Sequence, residues 1–136
     1  MTRSGGPVWL RPDVLRAIHR RQLAEHGGPE GIRDEGLLES ALHRPLQTKH
    51  YEPSADLATL AACYAGGLVR NHPFVDGNKR TAYVACRTFL LLNGFEIDAT
   101  REEKYAAFLD LVERRTSEDE FAGWLRQRLV PPDLEG

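Results

Sequence analysis

The sequence predicts an all-α fold, and three features carry this prediction. Apolar residues recur at helical spacing along nearly the whole chain, and no segment alternates polar and apolar residues over a useful strand length. Glycine, asparagine and proline separate the periodic segments, as they do where helices stop. Two helices with broad apolar faces lie in the middle of the chain, flanked by amphipathic ones. We therefore expect a central helix pair wrapped by the other helices.

The first two helices are predicted from the residues at their ends. The first covers about residues 12–26, because proline suits the first helical position and Gly27-Gly28 is a stop signal. The second starts near Asp34, a residue that caps helices, and we expect Pro45 to end it. Residues 46–53 have no helical period, so a loop or one small β-hairpin is expected between the second and third helices.

The third and fourth helices form the expected central pair. The third covers about residues 54–71, and the pair Gly66-Gly67 inside it predicts close approach of a neighbouring helix. The fourth begins at residue 77 or 78 and continues to residue 93, where an Asn-Gly pair is a stop signal.

Two shorter helices are expected in the C-terminal part. A fifth covers about residues 101–114, after a short extended segment at residues 95–97. Ser117 with Glu120 resembles a capping box, which predicts the start of a sixth helix that includes Leu129.

Length and composition fit a single domain. The chain has 136 residues, of which 41% are hydrophobic, so we expect one domain over residues 1–136 with a core at about residues 8–130 and frayed ends. The formal charge of −2 argues against direct DNA binding by this chain alone. No apolar run reaches the roughly 20 residues of a membrane helix, and the N-terminus lacks the apolar stretch of a signal peptide. Cys63 and Cys86 are interpreted as small buried hydrophobes. We therefore expect a cytoplasmic protein with no membrane partner.

The nine residues from His72 to Arg80 carry most of the functional information. They end at the start of the fourth helix, where free backbone N–H groups and a partial positive charge favour phosphate. Gly77 allows close approach of the backbone to a ligand. Asn78, Lys79 and the following arginine lie in the first turn, where cations oppose the helix dipole at a cost of about 1 kcal/mol or less. That cost is understandable if an anion binds between them.

Asp76 and His72 complete this pattern. A carboxylate beside a phosphate site repels the ligand unless a metal lies between them, and Mg²⁺ prefers one or two carboxylates plus phosphate oxygens. Asp76 is therefore the candidate metal ligand. An imidazole titrates near neutrality, so His72 could take a proton from an attacking hydroxyl as a general base.

Each feature taken singly has a plainer explanation. A histidine before a proline is usually a loop residue, Asp-Gly-Asn is usually a turn, and two adjacent cations usually form a solvated helix face. The combination favours a site, because cations at the unfavourable end of a helix follow both a carboxylate and a histidine. The other histidines are interpreted as solvated residues outside the site: His19, His26, His43 and His50.

The nine-residue segment resembles the signature of the Fic family, His-Pro-Phe-x-Asp/Glu-Gly-Asn-Gly/Lys-Arg-x-x-Arg. It is more similar to the Doc (death-on-curing) branch, whose version ends Asn-Lys-Arg-Thr-Ala, as residues 78–82 do here. Residues 31–42 and the Leu-Leu-Asn-Gly of residues 91–94 also resemble Doc proteins. The similarity thus covers about residues 8–124.

The resemblance implies an all-α Fic/Doc helical bundle, ATP and Mg²⁺ as cofactors, and a toxin of a toxin–antitoxin system. Doc enzymes are kinases that phosphorylate a threonine of translation elongation factor Tu and arrest translation. By position, His72 would be the general base and Asp76 would act in catalysis as the Mg²⁺ ligand. Residues 46–51 would match the flap that docks a target segment, although an ordinary surface loop explains them equally well. The phosphates of ATP would be bound by Gly77, Asn78, Lys79 and Arg80.

Fic enzymes generally transfer a nucleotidyl group instead, and two departures from their pattern favour the kinase. Lys79 replaces the small glycine after Asn78, and Tyr83 replaces the second arginine. The lysine adds bulk where a phosphate chain would pass, and the γ-phosphate clamp is lost. ATP is therefore expected to bind in reverse and offer its γ-phosphate. AMPylation of a target hydroxyl by a Fic-type nucleotidyltransferase is the same-site alternative.

A second alternative is a catalytically inactive domain that binds an antitoxin and acts as a co-repressor. The intact motif argues against it. Fic proteins that inhibit themselves carry Ser/Thr-x-x-x-Glu-Gly/Asn, and the nearest match, residues 48–52 followed by Pro53, fails at the last position. We therefore expect a separate, partly disordered antitoxin to neutralise this chain.

Overall fold

The computed structural model of the protein describes residues 6–132 and contains six α-helices and two short strands within that range. This confirms the predicted all-α fold. The frayed ends expected at residues 1–5 and 133–136 lie outside the described residues. The helices are α1 (Pro12–His26), α2 (Glu35–Tyr51), α3 (Leu57–Asn71), α4 (Asn78–Leu92), α5 (Arg101–Val112) and α6 (Glu118–Arg126), and the strands are β1 (Glu96–Ile97) and β2 (Leu129–Val130).

The helices α3 and α4 form the central pair that the sequence predicts. Ten of the 15 residues of α3 are buried, because the helix packs against α2, α4 and α6. The rings of Tyr64 and Phe89 join α3 to α4 with their centroids 5.0 Å apart. The first helix, α1, covers another side of α4. This pair fixes the two helix ends between which residues 72–77 lie.

Two glycines allow the neighbouring helices to approach α3 closely, as the sequence predicts. A Cβ atom at Gly67 would lie 3.6 Å from the Cα atom of Ala41, so the backbones of α2 and α3 nearly touch. A Cβ atom at Gly66 would collide with the carboxylate of Glu118 in α6. Both Nη atoms of Arg44 in α2 donate to this carboxylate at 2.7 Å. One ion pair therefore ties α2 to α6 across the glycine face of α3.

Side chains cap four of the helices. Asp34 and Asp56 accept hydrogen bonds from backbone N–H groups in the first turns of α2 and α3. Thr100 starts a capping box at α5. The capping box predicted from Ser117 and Glu120 is confirmed at α6. These caps satisfy N–H groups that a helix start otherwise leaves without partners.

The prediction that Pro45 ends the second helix is wrong, because α2 continues to Tyr51. A proline removes one backbone hydrogen bond and crowds the preceding turn. Pro45, however, is buried in the core, and Thr48 in the next turn contacts the sulfur of Cys63 in α3. These tertiary contacts stabilise the helix on both sides of the proline. The loop or hairpin expected over residues 46–53 is thus wrong as well, and residues 46–51 form helix rather than a flap.

The β-structure lies elsewhere than predicted. Strands β1 and β2 pair antiparallel, with Ile97 opposite Leu129. Leu129 therefore belongs to a strand, and the sixth helix ends earlier, at Arg126. The third helix also starts later than predicted, at Leu57, because the side chain of Asp56 caps it there.

Both cysteines are free and buried, as the sequence predicts. Burial raises the pKa of the Cys86 thiol to about 12, so this group stays protonated at neutral pH and is inert. Among residues 6–132, none of the helices combines the length and the apolar character that crossing a membrane requires.

We expect the two adjacent glycines of α3 to respond oppositely to alanine substitution. Gly67→Ala should stabilise the fold by up to about 1 kcal/mol, since alanine favours helix and its methyl group only reaches van der Waals contact with Ala41. Gly66→Ala should destabilise it by about 1–3 kcal/mol, because the methyl group displaces Glu118 from Arg44. Urea unfolding of the two variants measures both changes.

The control for this pair removes the obstructing side chain. In a Glu118→Ala background, Gly66→Ala should no longer destabilise the fold. A loss of stability that persists in that background would contradict the collision with Glu118.

Candidate functional site

The chain leaves α3 in one fixed direction, set at His72. This residue is the C-cap of α3 and adopts a left-handed backbone conformation, with φ 50° and ψ 53°. Its N–H group donates to the carbonyl of Leu68. The guanidinium of Arg33 donates to the carbonyl oxygens of Asn71 and His72, each at 2.8 Å. A cation thus satisfies the last carbonyls of α3, while the imidazole of His72 stays exposed.

The residues after His72 run antiparallel to residues 31–34. The carbonyl of Pro73 accepts hydrogen bonds from the N–H groups of Arg33 and Asp34, and Ile32 and Phe74 form an isolated β-bridge. The loop that precedes α2 therefore supports one side of the His72–Gly77 segment along its length.

Asn78 closes this segment onto α4. Its side-chain oxygen accepts a hydrogen bond from the N–H of Phe74, and its side-chain nitrogen donates to the carbonyl of Phe74, both at 2.9 Å. Both residues are buried, with Phe74 only 1% exposed. The amide group of Asn78 is used inside the protein, so only its backbone N–H faces a potential phosphate.

The start of α4 differs from the capped starts of α2, α3, α5 and α6. Gly77 is the N-cap, with φ 77° and ψ 16°, and no side chain caps the helix. The first turn holds no acidic residue, whereas Lys79 and Arg80 lie exposed in it. The first hydrogen bond of the helix joins the N–H of Thr81 to the carbonyl of Gly77. The backbone N–H groups of residues 78–80 therefore have no acceptor within the helix. This arrangement suits an anion.

The carboxylate of Asp76 lies exposed beside this helix start. Its Oδ1 atom accepts a hydrogen bond from the N–H of Gly77 at 2.8 Å. Its Oδ2 atom lies against Gly28, where a Cβ atom would collide with it. Gly28 also has φ +121°, a conformation that other residues rarely adopt. The Gly28 position therefore needs glycine both for its backbone and for the space that Asp76 takes.

A single carboxylate is the metal-binding chemistry that this site offers. The described residues hold no group of three or more histidine, cysteine or acidic side chains that could bind a metal. Mg²⁺ that binds together with phosphates needs only one or two carboxylates, since phosphate oxygens and water complete its shell. The donor set at Asp76 fits that mode of binding and no structural metal cage.

A groove of about 730 Å³ opens from the first turn of α4 and runs between α1, α4 and α5. Tyr83, which replaces the second arginine of the signature, lies half-buried in its wall with its ring edge-on to Phe108. Burial raises the pKa of the Tyr83 hydroxyl. Within residues 6–132, no carboxylate lines the groove. Its cationic residues are Lys79, Arg80, Arg87, Arg101 and Lys104.

The predicted residues 72, 76, 77, 79 and 80 lie together at the start of α4. The side chain of Asn78 differs, because it bonds to the backbone of Phe74 in the loop. Residues 46–51 lie at the end of α2, and Thr48 and Lys49 in this segment bond to residues 53–63.

The contacts that other parts of the chain make to this segment were not predicted, among them those of His19, Gly28 and Arg33. His19 was interpreted as solvated, but it is 5% exposed and contacts both Phe74 and the carbonyl of Asp76. Its spacing of four from Leu15 and Leu23 is the signal that puts it on the buried face of α1. No local signal in the sequence connects Gly28 or Arg33 to residues more than 35 positions away.

Comparison with known proteins gives consistent matches. The chain is 45% identical over 90 residues to "Toxin Doc" of Mycolicibacterium smegmatis, a match that covers 65% of this chain and 66% of that protein. It is 34% identical over 88 residues to "Protein kinase doc" of Escherichia phage P1, covering 65% and 70% of the two chains. A third relative, "Protein adenylyltransferase Fic" of Drosophila ananassae, is 35% identical over 97 residues, which are 68% of this chain and 19% of that protein.

The chain therefore spans about two thirds of the first two relatives and about a fifth of the third. The model of the Fic/DOC family matches residues 9–90, which include α1 to α3, the segment from His72 to Arg80 and most of α4. Because this match covers more than half of its length, the chain belongs to the Fic/DOC family.

Proposed function

We propose that this protein is the toxin of a toxin–antitoxin system and acts as a protein kinase in the cytoplasm. It transfers the γ-phosphate of ATP to a threonine hydroxyl of elongation factor Tu and thereby arrests translation. The observation that carries this proposal is the uncapped, cation-bearing start of α4, with Asp76 and His72 immediately before it. The names of two relatives, a toxin and a protein kinase, support the same reading.

Each residue at the helix start has a separate role in the proposed reaction. His72 takes the proton of the attacking hydroxyl, whose oxygen forms a bond to the γ-phosphorus as the bond to the β-phosphate oxygen breaks and ADP leaves. The backbone N–H groups of the first turn, with Lys79 and Arg80, bind the transferred phosphoryl group. Asp76 would hold Mg²⁺, which would supply charge neutralisation on the phosphates.

The residues around the first turn of α4 favour a kinase over a nucleotidyltransferase. Lys79 adds bulk where a glycine would leave room for a phosphate chain, and Tyr83, which also lines the groove, offers no charge to hold a γ-phosphate. Nucleotidyl transfer is the second candidate, favoured by the similarity to an adenylyltransferase. Both reactions use the same general base.

The proposal includes a cognate antitoxin as partner. The groove beside α4 is lined by five cations, of which Arg87 is already paired with Glu96. It has aromatic residues in its wall and no carboxylate among the residues that the structure describes, so it complements an acidic, partly disordered segment that folds on binding. A function as inactive co-repressor would need this partner too, but it would not need His72 or Asp76 in place.

The proposed reaction is tested with purified protein, Mg²⁺, elongation factor Tu and ATP labelled in the γ- or the α-phosphate. Label from the γ-phosphate alone is expected. His72→Ala should lower the rate by roughly 10²–10⁴-fold, because the general base is lost. The matched control His43→Ala, at an exposed histidine of α2, should keep the full rate. Label from the α-phosphate alone would establish the nucleotidyltransferase instead, and no label from either would contradict both.

Lys79→Gly tests the cause of this specificity. We expect weaker phosphorylation and a new transfer of the α-phosphate group, because glycine removes the bulk that blocks the opposite orientation of ATP. The ratio of the two labelled products measures the change. An unchanged ratio would rule out Lys79 as the residue that orients ATP.

Gly28→Ala tests the contact between Gly28 and Asp76. The methyl group should push the carboxylate aside and raise the Mg²⁺ concentration for half-maximal activity by roughly 10-fold or more. The control is Gly27→Ala, which has a similarly positive φ of 81° but no atom within 4 Å of its Cβ position. Equal losses of activity in the two variants would show that backbone strain, rather than the displaced carboxylate, causes the effect.

A further inference from the structure

His19 is a buried titratable residue that the proposed reaction does not use. It lies on the inner face of α1 and is 5% exposed. Its ring stacks on the ring of Phe74, with centroids 3.7 Å apart and planes 10° apart. Its Nε2 atom lies 2.8 Å from the carbonyl oxygen of Asp76. Because a carbonyl oxygen can only accept, Nε2 must carry a proton and donate this hydrogen bond.

The carbonyl that His19 contacts belongs to the peptide unit between Asp76 and Gly77. The other end of this unit, the N–H of Gly77, donates to Oδ1 of Asp76 at 2.8 Å. A peptide unit is planar, so its C=O and N–H groups turn together. The hydrogen bond from His19 therefore also fixes the N–H group that holds the carboxylate of Asp76.

Gly77 cannot set the orientation of this peptide unit by itself. It has φ +77°, but glycine populates positive and negative φ about equally. Rotation of the unit would turn the N–H of Gly77 away from the carboxylate and change the direction in which α4 begins. A restraint from outside the segment is required, and the side chain of His19 is the contact to the Asp76 carbonyl that the structure shows.

We propose that His19 is a positioning residue that holds the peptide unit between Asp76 and Gly77 in the orientation needed for binding. Through this unit it aims the carboxylate of Asp76 and fixes the start of α4, without touching the substrate. The orientation itself is independent of the reaction, and only its catalytic consequence rests on the proposed function. A histidine that merely fills the core would contribute its ring to the stack on Phe74 but no essential hydrogen bond.

Two substitutions separate these roles. His19→Phe keeps an aromatic ring against Phe74 and loses the N–H donor. His19→Gln loses the ring and can place an N–H donor close to the position of Nε2. His43→Phe, at an exposed histidine of α2, is the matched control.

The first readout is the backbone amide resonance of Gly77 in isotope-labelled protein, which needs neither ATP nor a target. We expect this resonance to shift or broaden in His19→Phe, to stay near its wild-type position in His19→Gln, and not to move in His43→Phe. A wild-type Gly77 resonance in folded His19→Phe would overturn the proposal, whatever the reaction is. If His19→Phe does not fold, His19→Met, which also lacks a donor, replaces it with the same expected and contradicting results.

The second readout is the kinetics of phosphate transfer. His19→Phe should lower kcat and raise the Mg²⁺ concentration for half-maximal activity by roughly 10-fold or more, and His19→Gln should recover part of both. Equal losses in His19→Phe and His19→Gln would assign His19 to the core alone. Altered Gly77 resonances without any phosphate transfer by the wild-type protein would leave the positioning role intact and contradict the proposed function.

Discussion

The burial of Phe74 is the constraint on which the rest of the site depends. A buried backbone group without a partner costs about 1–3 kcal/mol, and Phe74 would bury two such groups in a loop. Asn78 satisfies both, because an asparagine side chain offers one acceptor and a pair of donors. These two hydrogen bonds hold the ends of the segment from Phe74 to Asn78 together. The side chains of His72, Asp76 and Lys79 then extend from a loop that has one conformation.

Outside the site, departures from the rules of helix stability are scattered: α1 starts without a side-chain cap, α2 contains Pro45, and Arg114 has a left-handed backbone conformation. At the site, such departures occur together. Four helices start with an aspartate, threonine or serine cap, whereas α4 starts with glycine and cations. The left-handed conformation of His72 costs about 1–3 kcal/mol more than a helical or extended one. Both unfavourable features lie within nine residues of one another. Their proximity within this segment is what the ligand binding proposed above would explain.

Much of the fold is readable from the sequence because its signals are local. Periodicity and end residues predict α1 at its observed bounds, and Ser117 with Glu120 predicts the start of α6. The errors arise where distant contacts decide. The buried contacts of Pro45 keep α2 helical, and the pairing of Ile97 with Leu129 converts a predicted helix end into a strand. Neither contact leaves a trace in the neighbouring sequence.

The candidate site divides in the same way. The motif residues are predictable because they are contiguous, and a helix start can be recognised from its first few residues. Their supports come from α1 and from the loop before α2, which are separated from the motif by about 40 to 57 positions. His19 alone has a local signal, its place in the apolar stripe of α1. A stripe indicates burial, and it does not reveal which backbone group the buried nitrogen meets.

The packing of α6 against α3 has a consequence for biosynthesis. One side of α3 is covered by α6, residues 118–126. Arg44 of α2 is tied to that side through its ion pair with Glu118 of α6. During translation α3 and α4 emerge well before α6, so the central pair stays partly uncovered until residues 118–126 have also left the ribosome. Chains interrupted before α6 therefore expose this side of α3, whereas the contacts that hold residues 72–77 come from α1 and the loop before α2, which are made earlier.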